Sequence, residues 1–101
     1  MTVRLWVDDE REPPEGWVWA TSSGEAITVL ESEEVVEMSL DYCLKGMDTG
    51  DEVLFWLREH QDRWPDGPVH AHSSSSSGCA LLERLIENVD PMGMGGKWRA
   101  P

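Results

Sequence analysis

Apolar and polar positions alternate in blocks along the chain. Val3-Arg4-Leu5-Trp6-Val7 is a β-branched and aromatic run that stops at Asp8-Asp9-Glu10-Arg11. It reads as a buried strand over 3–7. Residues 10–16, Glu-Arg-Glu-Pro-Pro-Glu-Gly, form a loop, because proline denies helix and glycine punctuates. A second strand is expected over 17–21. Ser22-Ser23-Gly24-Glu25 has the spacing of a capping box, so a helix should run to about Ser32, burying Ala26, Ile27 and Leu30. Val35 to Leu40 reads as a third strand, ending on Asp41. A loop over 41–48 follows, then a cap at Thr49-Gly50-Asp51-Glu52. The helix after it should reach about Gln61, with Val53, Trp56, Leu57 and His60 on one stripe. Val69 to His72 is a short fourth strand. The serines 73–77 lead into a helix over 78–89, with Ser77 as its N-cap and Leu82, Leu85, Ile86 and Val89 at helical spacing.

Strands alternating with helices imply a parallel sheet with helices packed on it. Only residues 8–16 join the first two strands, short of the roughly 10–12 that a crossover needs. The first crossover helix is therefore reduced to a turn. In such sheets ligands bind beyond the carboxyl ends of the strands, where strand order reverses. With order 2-1-3-4, Asp8, Asp9 and Asp41 converge there, and Ser73 follows beside Asp41.

At 101 residues the chain is one domain, taken as 1–89, with a loose Gly- and Met-rich tail over 90–101. Net charge is −12, from 20 acids against 8 Lys and Arg. That disfavours a polynucleotide as main ligand, except through an end or a partner, since such binders need a basic surface. A small phosphate-containing ligand met through a metal ion fits better, and a protein partner is compatible. No run approaches the ~20 apolar residues of a membrane helix, and the N-terminus lacks a signal-peptide core. A cytoplasmic location is expected. Cys43 and Cys79, with no CxxC spacing, read as free thiols in a reducing compartment.

Three carboxylates at one sheet edge repel and shift one another's pKa unless a cation neutralises them. The oxygen-only set Asp8, Asp9 and Asp41 suits Mg²⁺ or Mn²⁺; the bland alternative is strand-end acids facing water. His72 is placed as a general acid or base for a phosphodiester, or as a histidine bonded beneath the loop. His70 reads as structural, and the two histidines with Asp41 would also suit Zn²⁺ or Mn²⁺. Arg11 is a candidate phosphate clamp or a partner for Asp9 or Glu10, and Lys45 is a weaker candidate for the same task. The serines 73–77 at a helix start could bind phosphate or form a polar loop. Of the six tryptophans, Trp6, Trp19 and Trp56 are expected in the core. Trp17 borders the open loop, where it could stack on a base.

Leu5-Trp6-Val7-Asp8-Asp9-Glu10-Arg11, Pro13-Pro14-Glu15-Gly16-Trp17, Glu25-Ala26-Ile27, Ser39-Leu40-Asp41, Thr49-Gly50-Asp51-Glu52-Val53 with Trp56-Leu57, and His72-Ser73 together resemble the cyclic-phosphate-processing receiver-like domain. This is a compact offshoot of the response-regulator receiver fold, and the resemblance covers residues 3–89. It implies a small three-layer receiver-like (flavodoxin-like) sheet of about four parallel strands. It also implies a metal-dependent phosphoesterase acting on a cyclic phosphate or nucleotide phosphate. Asp8, Asp9 and Asp41 would hold Mg²⁺, Arg11 and Ser73 would bind phosphate, and His72 would move protons. Where the family pattern has polar residues, this chain carries Tyr42, Cys43 and Ser75, and Cys79 replaces an Arg. That favours the alternative of a catalytically impaired module that binds metal, phosphate or a protein. A third reading, phosphoacceptor signalling through Asp41, lacks the fifth strand and Lys of true receivers.

Overall fold

The structure is a computed structural model that describes residues 2–73 and 76–89. Chain order is β1 (Thr2–Val7), β2 (Val18–Ala20), α1 (Ser23–Ser32), β3 (Glu34–Leu40), α2 (Asp51–Glu59), a 3-10 turn (Gln61–Arg63), β4 (Val69–Ala71) and α3 (Ser76–Val89). The strands form one parallel sheet in the order β2-β1-β3-β4. The fold is thus the expected small α/β receiver-like sheet. The tail over 90–101 and Ser74 and Ser75 lie outside the described residues.

Local chemistry explains most element ends. Ser22 caps α1 from an extended backbone, accepting from the Glu25 N–H at 3.1 Å. The Glu25 carboxylate reaches back one residue further than a capping box requires, to the Thr21 N–H and hydroxyl, both at 2.6 Å. At the far end of α1, Arg63 donates to the carbonyls of Leu30 at 2.9 Å and Glu31 at 2.6 Å. These are orphan carbonyls of the last turn. The expected Thr49 cap is not formed. Gly50 holds that position without a side-chain bond, and the Thr49 hydroxyl goes to Asp51 instead. Helix α2 also stops earlier than expected, and the chain tightens into the 3-10 turn. His60 leaves the apolar stripe and is exposed, its ring stacked on Trp56. Helix α3 starts at Ser76, so Ser77 lies inside it rather than capping it.

One face of the sheet carries the core. Leu5, Val7, Met38, Leu40 and Val69 pack against Ala26 and Leu30 of α1, Val53, Leu54 and Leu57 of α2, and Leu82, Ile86 and Val89 of α3. Each fully buried Leu or Val contributes roughly 1.5–3 kcal/mol. Ile27 is only half-buried, because the stripe of α1 is centred on Ala26 and Leu30.

The other face carries no helix among the described residues, so the expected third layer is missing there. Strand order gives the reason. The β1→β2 connection runs across the sheet in the opposite direction to β2→β3 and β3→β4. Right-handed crossovers would put its helix on the opposite face, and residues 8–17 are too short to make one. Instead, register sets Trp19, Trp6, Ser39 and His70 in a row across that face. Below the row, Glu37 bonds Arg4 at 3.0 Å and His70 at 2.8 Å. Trp19 is accordingly 42% exposed rather than core, Trp6 and Trp56 are half-buried, and among the described residues Trp64 is the buried indole.

Candidate functional site

The sheet ladder continues one step past the strand ends, and this step builds the site. The Asp8 N–H donates to the Ala20 carbonyl at 3.1 Å, Asp41 to Val7 at 2.9 Å and His72 to Leu40 at 2.8 Å. Three adjacent strands therefore deliver Asp8, Asp41 and His72 in one backbone-fixed row. Asp9 follows Asp8, and Asp8, Asp9 and Asp41 each offer a carboxylate oxygen within 4.8 Å of the others. The convergence expected from the sequence is present.

Asp8 is the hub. It is 1% exposed. Its Oδ1 accepts from the N–H groups of Glu10 at 2.8 Å and Arg11 at 2.9 Å. Its Oδ2 meets His72 Nε2 at 3.0 Å. A carboxylate has about four lone-pair sites, so one stays available for a cation. Two indoles hold the same loop from outside. Trp6 Nε1–H donates to the Arg11 carbonyl at 2.9 Å and Trp19 Nε1–H to the Asp8 carbonyl at 2.7 Å. The loop bearing the acids is thus fixed by donors that leave its outer oxygens free to bind.

His72 stacks flat on Trp6, with centroids 3.9 Å apart at 11°, and Trp17 meets Trp6 edge-on at 5.9 Å. Its Nδ1 lies 2.6 Å from the Ser39 hydroxyl. Burial holds the imidazole below its usual pKa, against the pull of Asp8 and Asp41; the nearby charge of Arg11 acts in the same direction as burial. In the neutral imidazole that burial favours, Nε2–H donates to the Asp8 carboxylate and Nδ1 accepts from the Ser39 hydroxyl. Both ring nitrogens are therefore engaged within the protein. In this state His72 orients the Asp8 carboxylate, and moving a proton to a substrate requires one of the two bonds to open.

Asp41 is half-buried. Burial, and then the charge of Asp8, pushes its carboxyl above the ordinary carboxylate range; hydrogen bonds from the Ser73 side chain and the Tyr42 backbone act against this. Ser73 is thus beside Asp41, as the strand order predicted. Arg11 is at the site through its backbone; its side chain is exposed and makes no ion pair with Asp9 or Glu10 among the described residues. Lys45 makes no ion pair with the acids among the described residues; it stands exposed next to Gly46, whose positive φ turns the tip of the loop closed by the Cys43–Thr49 bridge. His70 is tied to Glu37 on the outer face, away from Asp41, so no two-histidine metal site forms. Cys43 and Cys79 are free thiols.

Three contributors escaped the sequence reading. Ser39 is 4% exposed, and the only hint of its role was a hydroxyl between apolar Met38 and Leu40. Asp48 accepts from the Ser23 N–H at 2.7 Å and hydroxyl at 2.6 Å, tying the loop after β3 to the start of α1. Gly50 admits the Asp41 backbone, whose carbonyl occupies the space a Cβ would need. A separate cavity of about 370 Å³, lined by Val35, Arg63 and Trp64 among others, contains none of the site residues.

A parallel sheet of order β2-β1-β3-β4 with an acid cluster at its switch point defines a receiver-like domain. Residues 3–88 match the cyclic-phosphate processing receiver domain, and the chain belongs to that family. No curated protein and no solved structure matches the chain. Among the described residues, no helix is long and apolar enough to cross a membrane.

Proposed function

We propose that the domain is a metal-dependent phosphoesterase acting on a cyclic phosphate, with Asp8, Asp9 and Asp41 as ligands of Mg²⁺ or Mn²⁺. The observation that carries this reading is the three carboxylate oxygens within 4.8 Å of one another. Their oxygen-only chemistry fits a hard divalent cation, and the Asp41 carboxyl, raised by burial and then by the charge of Asp8, is one that a bound cation would draw back down. The cation would polarise a phosphoryl oxygen and neutralise developing charge. The chain's own residues divide the remaining work. His72 and the N–H groups of Glu10 and Arg11 hold Asp8 in place. Ser73 and the Arg11 guanidinium bind phosphate oxygens at the rim. His72 takes or gives a proton only when its bond to Asp8 or Ser39 opens.

A second reading, a receiver-like module that binds metal or phosphate and a partner protein without turnover, is favoured by one observation: both nitrogens of His72 are engaged.

Incubation with Mg²⁺ or Mn²⁺ and a panel of 2′,3′-cyclic nucleotides separates the two. Turnover that disappears in Asp41→Ala is expected. Metal binding without turnover of any cyclic phosphate leaves only the second reading, and no divalent-metal binding by calorimetry at neutral pH removes both. Asp41→Ala is expected to weaken Mg²⁺ binding by more than the roughly 10–100-fold that loss of an outer-shell partner costs. The pH dependence follows in sign. Because its carboxyl is raised, Asp41 takes up a competing proton at a higher pH than an ordinary carboxylate. Mg²⁺ affinity, titrated at neutral and at mildly acidic pH, should therefore fall on acidification, and should fall less steeply in Asp41→Asn.

A further inference from the structure

We propose that the cavity at the amino end of β3 is a docking site for a basic peptide segment of a partner protein, one that carries at least two Lys or Arg residues. The site is independent of the phosphate reading. The cavity measures about 370 Å³, within the roughly 300–1,000 Å³ of ligand sites. Glu34 and Val35, which begin β3, line it, while Asp41 follows the other end of the same strand. At about 3.3 Å per residue, Val35 and Asp41 stand roughly 20 Å apart. The cavity and the acid cluster therefore take different ligands without competing.

The floor of the cavity is apolar. Leu30, Val35 and Trp64 line it and are each 8% exposed or less. One donor in that floor lacks an acceptor. The indole N–H groups of Trp6 and Trp19 each reach a backbone carbonyl. Trp64 is more deeply buried than either, and its indole N–H has no hydrogen bond among the described residues. A buried donor left in this state is uncommon and points to a partner. A peptide seated in the cavity brings a carbonyl acceptor with every residue.

The rim is acidic. Glu33 is half-buried there, and Glu34, Asp62 and Asp66 are exposed. None of the four has an ion pair among the described residues. Arg63, the one cation in the lining, is engaged elsewhere: its Nε and Nη2 donate to the carbonyls of Leu30 and Glu31. The lining thus carries four negative charges against one positive. The carboxyl end of α1, with no basic residue in its last turn, adds to the same sign. Among the described residues, Asp8, Asp9 and Asp41 are the one acidic group drawn together closely enough for a metal ion. The rim carboxylates are spread more widely, which suits organic cations. A single ammonium group leaves most of this charge unanswered. Two basic side chains on one peptide answer it, and their aliphatic stems cover the apolar floor.

The test is nitrogen NMR on the full isotope-labelled chain, with acetyl-Arg-Gly-Arg-amide as probe. Acetyl-Gly-Gly-Gly-amide and putrescine are the comparisons, the first without charge and the second without an acceptor. The Trp64 indole signal is assigned from triple-resonance spectra and by its loss in Trp64→Phe. The Arg peptide should move that signal with a dissociation constant at or below about 1 mM, and leave the indoles of Trp6 and Trp19 in place. Asp62→Asn and Asp66→Asn change exposed positions and so leave folding intact. Each should weaken the Arg peptide by up to about fivefold, the scale of an exposed ion pair, and added salt should weaken it as well. A Trp64 indole that does not move, equal binding of the Arg and Gly peptides, or binding unchanged in the Asp62→Asn, Asp66→Asn double variant overturns the site. Putrescine bound as tightly as the Arg peptide overturns the peptide as ligand. Tighter peptide binding by a chain carrying Lys97→Glu and Arg99→Glu makes the chain's own tail the occupant and overturns the partner.

Discussion

Replacing Asp8 by alanine is expected to cost roughly 3–5 kcal/mol of folding stability, the range for removing one member of a buried hydrogen-bonded pair. The carboxylate is 1% exposed, and it accepts from the backbone of Glu10 and Arg11 and from His72. Alanine removes the shared acceptor of three part-buried bonds at once, and a buried donor left unsatisfied costs about 1–3 kcal/mol. The loss should appear as a lower urea midpoint with an unchanged slope. Asp9→Ala provides the contrast. Asp9 is half-exposed and carries none of these bonds, so its removal should stay within about 0.5 kcal/mol of wild type. Both variants should lose Mg²⁺ affinity. An Asp8→Ala protein as stable as Asp9→Ala would show that Asp8 is not the structural hub of the loop.

Gly50→Ala should be comparably severe for a different reason. The backbone at Gly50 is ordinary helical backbone, with φ of −64°, so conformational freedom is not what glycine supplies here. It supplies space. A Cβ would lie 2.0 Å from the Asp41 carbonyl oxygen and 3.1 Å from its carbonyl carbon, and both are main-chain atoms that cannot rotate aside. Either the N-terminus of α2 or the chain at Asp41 must move. A loss of about 3–5 kcal/mol by denaturation is expected, at the upper end of single-residue effects. If the chain at Asp41 yields instead, the stability loss shrinks and Mg²⁺ affinity drops, because a ligand has been displaced. Gly24→Ala is the control: the nearest atom is the Ser22 hydroxyl at 3.9 Å in an exposed first turn, so a gain of about 0.4–1 kcal/mol is expected. Unchanged stability together with unchanged metal affinity in Gly50→Ala would refute the close approach.

Much of this architecture is legible in the chain because it depends on local rules. Apolar runs that stop on acids locate the strand ends, Ser22 marks a helix start, and the short segment after Asp9 removes a crossover helix. With the order 2-1-3-4 taken for such a sheet, the convergence of Asp8, Asp9 and Asp41 follows from these strand ends. What stayed hidden depends on which face a residue takes and on what lies opposite. The run Val3-Arg4-Leu5-Trp6-Val7 reads as a buried strand, yet its alternation already sends Arg4 and Trp6 outward. Trp19 goes with Trp6 because parallel register pairs them. The Thr49 cap failed because Gly50, packed on the Asp41 backbone, took the capping position. His72 was found as a site residue, but its role depends on Ser39 and Asp8, which are 33 and 64 residues away in sequence. No spacing rule reaches that far.

The ladder that carries Asp8, Asp41 and His72 past the strand ends has a consequence for how such a site changes over evolutionary time. Neighbouring strands stand about 4.7–4.9 Å apart wherever backbone hydrogen bonds join them. The separation of these three positions is therefore a property of the main chain, independent of which side chains occupy them. Helices can be repacked and loops rewritten without disturbing it. A lineage built on this sheet inherits a ruler with interchangeable markings: substituting one residue at the row alters the chemistry on offer while the distances stay as they were.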